Sequence, residues 1–132
     1  MQRTMMKAKI HRATVTGASV DYVGSISLCP DLMRRADIMV GEQVHVVDVD
    51  NGARLVTYAI EGTAGEVCLN GAAAHLVEVG HLVIIITYAQ LETSELDGFA
   101  ASVVHVDGTN RAVDTATAQR LAGERRYVTV DA

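Results

Sequence analysis

The sequence predicts a mainly β domain closed into a barrel, with only brief helices. Of the 132 residues 49% are hydrophobic, yet only 4% are aromatic and none is tryptophan, so the interior must be built from Val, Ile, Leu and Ala. Half of that set is β-branched and suits strands. Apolar residues also recur at a period of two in several short runs, the signature of half-buried strands. A third sign is Asn51-Gly52, which joins two such runs and is the dipeptide best able to take the positive φ angles of a type I′ hairpin turn. Several short strands with little helix between them give a barrel rather than a parallel sheet wound with helices.

Taken in order, "MKAKIHRATVT" (6–16) places Lys7, Lys9 and His11 on one face of a strand and Ala8 and Ile10 on the other. "YVGSIS" (22–27) alternates like a strand but is interrupted by Gly24-Ser25, and glycine there marks a bend or a close backbone approach. "DLMRRADI" (31–38) and "NGAAAHLV" (70–77) read as short helices, the second with Asn70 as its cap. "QVHVVDVDNGARLVTYAI" (43–60) is the hairpin, and "HLVIIITYAQL" (81–91) and "SVVHV" (102–106) are further strands. From residue 108 to 132 the chain turns polar and patternless, which predicts a peripheral or mobile tail with a short helix near Gln119. One domain spanning 1–132 is expected, since the chain is long enough for one core and shows no linker or repeat.

The formal charge of -5 opposes nucleic acid as a partner, which clustered Lys and Arg would bind. No apolar run is long enough for a membrane span, and the first residues lack the apolar stretch of a secretory signal, so a cytoplasmic location is expected. Cys29 and Cys68 read as reduced packing thiols. His11, His45, His75, His81 and His105 show no metal-ligand spacing and read as structural or surface residues, so no metal is expected.

Chemistry concentrates in a few places. Lys7 and Lys9 are the only lysines, both on the polar face of the first strand. Arg54, Thr57 and Tyr58 lie together in the second arm of the hairpin, where a guanidinium could grip a carboxylate and a phenol could give up a proton. Each of them alone also reads as an ordinary strand residue. In "NGAAAH" (70–75) small side chains after a glycine let a ligand approach the main chain, although a tightly packed helix start gives the same pattern.

"KIHRATVT", "YVGS", "NGARLVTYAI" and "NGAAAHL", in that order, resemble the aspartate 1-decarboxylase family, pyruvoyl-dependent enzymes that make β-alanine for pantothenate. The match runs from about residue 3 to residue 90 and rests on four segments agreeing in order and spacing. The resemblance implies a double-psi β-barrel assembled as a homotetramer, with sites between subunits. It implies that the chain cuts itself between Gly24 and Ser25 into residues 1–24 and 25–132, Ser25 becoming a covalent pyruvoyl group. That group would form a Schiff base with L-aspartate and accept the electrons released as carbon dioxide leaves.

By the same resemblance Thr57 supports the tetrahedral intermediate of self-cleavage, Arg54 and Lys9 hold substrate carboxylate, and Tyr58 protonates the carbon left by decarboxylation. Asn70 with Gly71, Ala72 and Ala73 would shape the pyruvoyl pocket. Glycine at position 24 would admit the unusual backbone that self-cleavage needs. Thr57 and Tyr58 point to opposite faces of one strand, and Arg54 and Tyr58 have backbones roughly 13 Å apart, so a pocket shared between subunits is expected, with Arg54 or Tyr58 reaching a neighbour. The chain departs from the family at Cys29, where an acidic residue is usual, and in lacking an aromatic-x-Pro before the last family strand. A pyruvoyl decarboxylase for another amino acid, a non-enzymatic barrel module and a swapped-hairpin DNA-binding regulator are the competing readings.

Overall fold

The computed structural model describes residues 1–122. Its strands are β1 (Gln2–Thr14), β2 (Gly17–Ser19), β3 (Ser25–Leu28), β4 (Gln43–Asp48), β5 (Arg54–Glu61), β6 (Val67–Asn70), β7 (Leu82–Glu92), β8 (Ser102–Val106) and β9 (Ala112–Val113). Helices α1 (Pro30–Arg35) and α2 (Thr115–Ala122) are short, and Gly71–Leu76 and Thr93–Gly98 form 3-10 turns. The nine strands make one sheet in the order β2-β6-β3-β5-β4-β7-β1-β8-β9. Three pairs are parallel (β1 with β8, β2 with β6, β3 with β5) and the others antiparallel, with an antiparallel run β5-β4-β7-β1 in the middle of the sheet. The mainly β architecture read from the sequence is present and is consistent with a double-psi β-barrel.

The period-two pattern builds its core. Along β1, Ala8 and Ile10 are fully buried while Lys7, Lys9 and His11 are half-buried. Val44 and Val46 of β4, Ile26 and Leu28 of β3, Val67 and Leu69 of β6 and Val83 and Ile85 of β7 complete the same core. Alternation fails where β1 bulges, between Ile10 and Ala13, with Arg12 at φ 61. Pro30 opens α1 at a position where its missing N–H costs nothing, and Leu32 and Met33 pack into the core. Asp31, salt-bridged to Arg34 and Arg35, closes its exposed side, and the hydrogen bond from Arg35 leads in holding this carboxyl below its usual range.

The β4–β5 hairpin forms, but not on the expected turn. Asp48 N–H bonds to Ala53 O at 2.9 Å, leaving residues 49–52 as a four-residue loop. Only Gly52 takes a positive φ, 76°; Asn51 does not, so the type I′ geometry is absent. The reason is local: Asp48 Oδ1 accepts the amides of Asp50 and Asn51, which winds the chain into an Asx turn before Gly52 is reached. At the other end of the chain, Asn110 ties the stretch after β8 to the barrel. It is 2% exposed, accepts the Thr14 amide at 2.8 Å and donates to the carbonyls of Thr14 and Gly65. The helix expected near Gln119 is α2, and the remainder of the expected tail, 123–132, lies outside the described residues.

Candidate active site

Gly24-Ser25 does not interrupt a strand; it starts one. The chain before it is open to solvent, Val20 at 45%, Tyr22 at 56% and Val23 at 72% exposure, whereas Ser25 is 1% exposed. The boundary falls at Ser25 because its backbone is the first to pair, opposite Asn70 of the antiparallel neighbour β6. Its hydroxyl donates to Val23 O at 3.3 Å and accepts from Asn70 Nδ2 at 2.9 Å. The same amide nitrogen donates to Ser27 Oγ at 3.0 Å, and Asn70 Oδ1 accepts from Cys68 Sγ at 3.4 Å. Pleating explains the company: Ser25, Ser27, Cys68 and Asn70 share one face, and Ile26, Leu28, Val67 and Leu69 fill the core on the other.

Asn70 was expected to cap a helix with its side chain. It occupies the residue before the 3-10 turn but makes no capping bond, because its amide is committed to the two serines. The glycine requirement also moves. A Cβ on Gly24 would meet nothing within 4 Å, and Gly24 is not among the residues with positive φ. Gly71 is: its φ is +72, and a Cβ there would stand 2.7 Å from Gly24 Cα and 2.9 Å from Gly24 N. The residue that must lack a side chain is therefore the one pressed against the Gly24-Ser25 segment. Ala72 and Ala73 follow it in the same turn, exposed and half-buried respectively.

The remaining candidates lie along the sheet. Ile26 pairs with Ala59 in the parallel β3–β5 ladder, so one residue back Ser25 stands level with Tyr58, on the same side of the pleat. Thr57 points the other way, beside buried Val44. Arg54 is exposed and lies on the Tyr58 side, near the hairpin end of β5. Lys9 is farther still, since β1 follows β5, β4 and β7 in the sheet, roughly 19 Å from β3 measured across four strand spacings. It stands beside Ile86, which is beside His45, which is beside Val56. Among the described residues, no hydrogen bond joins Lys9, Arg54 or Tyr58 to Ser25.

Sequence reading missed Cys68 and Ser27 as neighbours of Ser25. The signal was available in the alternation of "SIS" and "VCLN", once the two segments are known to pair. Asp48, Asp50 and His81 offer three ligand atoms within 4.8 Å of one another. They are already engaged as braces of the hairpin: His81 Nδ1 lies 2.7 Å from Asp48 Oδ2, and Asp50 Oδ2 accepts the Leu82 amide. The bond to Asp48, ahead of the opposing effect of desolvation, raises the His81 pKa above the ordinary 6.5.

A buried serine at a strand start, gripped by an amide and preceded by a glycine against which left-handed Gly71 packs, is the centre of this small β-barrel protein. The aspartate decarboxylase family model matches residues 1–113, and the chain belongs to that family. It is 56% identical over 115 residues to the aspartate 1-decarboxylase of Mycolicibacterium smegmatis (strain ATCC 700084 / mc(2)155), covering 86% of this chain and 85% of that protein.

Proposed function

We propose that this chain decarboxylates L-aspartate to β-alanine and carbon dioxide, in the service of pantothenate synthesis, after cutting itself between Gly24 and Ser25. The observation that carries the reading is the buried Ser25–Asn70 pair beneath Gly71, within a chain of this family. In the cut, Ser25 Oγ bonds to the Gly24 carbonyl carbon, the Gly24–Ser25 C–N bond breaks, and the hydroxyl proton ends on the freed amine. Loss of the Ser25 α-proton then expels the Gly24 carboxylate and leaves dehydroalanine. Water displaces its nitrogen as ammonia, giving a keto cap on residues 25–132.

The site suits such a cap. Residues 20–24 are exposed and free to part, while the new terminus stays buried and held by the β3 ladders. We give Thr57, one residue before the level of Ser25 on β5, the support of the Gly24 oxyanion by the family's pattern, and Asn70 the support of Oγ. When formed, the pyruvoyl ketone supplies an electrophile for the substrate amine and a sink for the electron pair left by carbon dioxide.

The chain's own residues bind and protonate. Tyr58, level with Ser25, gives a proton to the carbon that loses carboxylate. Arg54 offers a planar fork for a carboxylate, and Lys9 a second cation, a pair that favours a dicarboxylate over a basic amino acid. Gly71, Ala72 and Ala73 leave room at the main chain for the substrate.

Tyr58, level with its own Ser25, does not need the neighbour expected for it; we assign that reach to Lys9, four strand spacings along the sheet from β3, and to Arg54. The Lys9 face is also where a second copy would sit. Val56 (55%), Tyr58 (38%), Tyr88 (38%) and Val103 (45%) are exposed around it. His45 and Tyr88 stack edge-on at 4.9 Å on the same surface. The assembly we propose is a homotetramer with sites between subunits, working in the cytoplasm. No helix among the described residues is long and apolar enough to cross a membrane. Incubation with a panel of amino acids tests the reading. It predicts β-alanine from aspartate and little turnover of arginine or histidine; no β-alanine from a fully cut preparation would refute it.

A further inference from the structure

An asparagine amide can stand in two orientations that differ only by exchange of oxygen and nitrogen, and its surroundings decide between them. Around Asn70 the deciding group is Cys68. With Oδ1 toward the sulfur, the amide accepts the thiol proton at 3.4 Å and sends both protons of Nδ2 to oxygen, Ser25 Oγ at 2.9 Å and Ser27 Oγ at 3.0 Å. Turned over, it would aim N–H at a thiol, a weak acceptor whose own proton would then be left with only the longer contact to Leu69 O at 3.9 Å.

We propose that Cys68 is a positioning residue for self-cleavage: its thiol donates to Asn70 Oδ1 and thereby holds Nδ2 on Ser25 Oγ. The proposal rests on the Gly24-Ser25 cut described above. In the attack the charge develops on the Gly24 carbonyl oxygen and the N–H fixes the position of Oγ; charge gathers on Oγ itself when its bond to the Ser25 Cβ breaks and it departs within the Gly24 carboxylate. An N–H already aimed at Oγ positions it for the first event and stabilises the second without reorganising.

Several features hold the thiol in place. Cys68 is paired on both sides, with Gly17 in β2 and with Ser27 in β3, so its Cβ is fixed by two ladders. The bare α-carbon of Gly17 gives the sulfur its seat, since a Cβ there would stand 3.0 Å from Sγ. Burial, with the Glu66 carboxylate adding to it, raises the Cys68 pKa and keeps the donor protonated. Cys68 is not joined to Cys29, and both thiols are free.

The test is the rate at which freshly made full-length chain is cut, followed by mass spectrometry, in the parent and in Cys68→Ser, Cys68→Ala and Cys68→Val. Serine keeps a donor, and should cut within about twofold of the parent; alanine and valine should cut about fivefold more slowly, the size of one lost hydrogen bond. The melting temperatures of the folded variants should not follow that order. Equal rates in all four proteins would overturn the proposal. So would serine slowing as much as alanine and valine, which would make the thiol a packing group, or a failure of both non-donor variants to fold. A parent that is never cut would instead overturn the cleavage reading itself.

Discussion

The two parts of the candidate site are built differently. Around Ser25 the chain supplies its own partners: Asn70 and Val23 bond the hydroxyl, and Gly71 presses on the preceding residue. Lys9 and Arg54, by contrast, stand on an open sheet face with no hydrogen bond to that centre among the described residues. One region is bonded within the monomer, and on the proposed reading the other is completed by a neighbouring copy. Self-cleavage should therefore depend on the first and substrate turnover on both.

The largest expected effect is Ser25→Ala, which removes the attacking oxygen: no cut and no decarboxylation, read on a denaturing gel and by β-alanine assay. Gly71→Ala comes next. Its Cβ would meet Gly24 and its backbone would hold an L-residue at φ +72; such strain costs about 1–3 kcal/mol. A displaced scissile bond should be cut about 100-fold more slowly. A Gly71→Ala chain cut at the parent rate would erase the distinction drawn for the first region.

Arg54→Lys keeps charge but loses the fork, and should lower kcat/KM for aspartate about 10- to 100-fold while leaving the cut intact. Lys9→Ala should likewise be cut normally and turn over poorly. Assembled together, Lys9→Ala and Ser25→Ala subunits should recover activity that neither has alone, because each provides what the other lacks. Mixed assemblies with no recovery would place Lys9 at its own chain's Ser25.

The smallest effect lies away from both regions, at Asp48–His81. His81 is raised above 6.5 chiefly by its bond to Asp48, so the charged form stabilises the fold. This contribution is complete below pH 6.5 and fades as pH climbs through the raised folded value. His81→Gln should melt below the parent in mildly acid solution, by a margin that narrows as pH rises past that point. A margin that widened with pH would contradict the sign.

The sequence made the strands legible because each buries alternate residues: Ala8 and Ile10 in β1, Val44 and Val46 in β4. It named Ser25 and Asn70, but as parts of separate segments. Their contact depends on β3 lying antiparallel to β6, a pairing no local pattern encodes. For the same reason Cys68 was read as packing and Gly24, rather than Gly71, as the glycine under constraint. The hairpin was found from Asn51-Gly52, yet its turn type was decided by the Asp48 carboxylate, whose grip on two amides outweighs the preference of the dipeptide.

The central claim is that Ser25 becomes a new, keto-capped chain start. Mass spectrometry of the mature protein under denaturing conditions tests it directly. Residues 1–24 and residues 25–132, the latter beginning in a carbonyl that borohydride reduces, are the predicted species. A single intact chain of 132 residues with serine at position 25 would contradict the account.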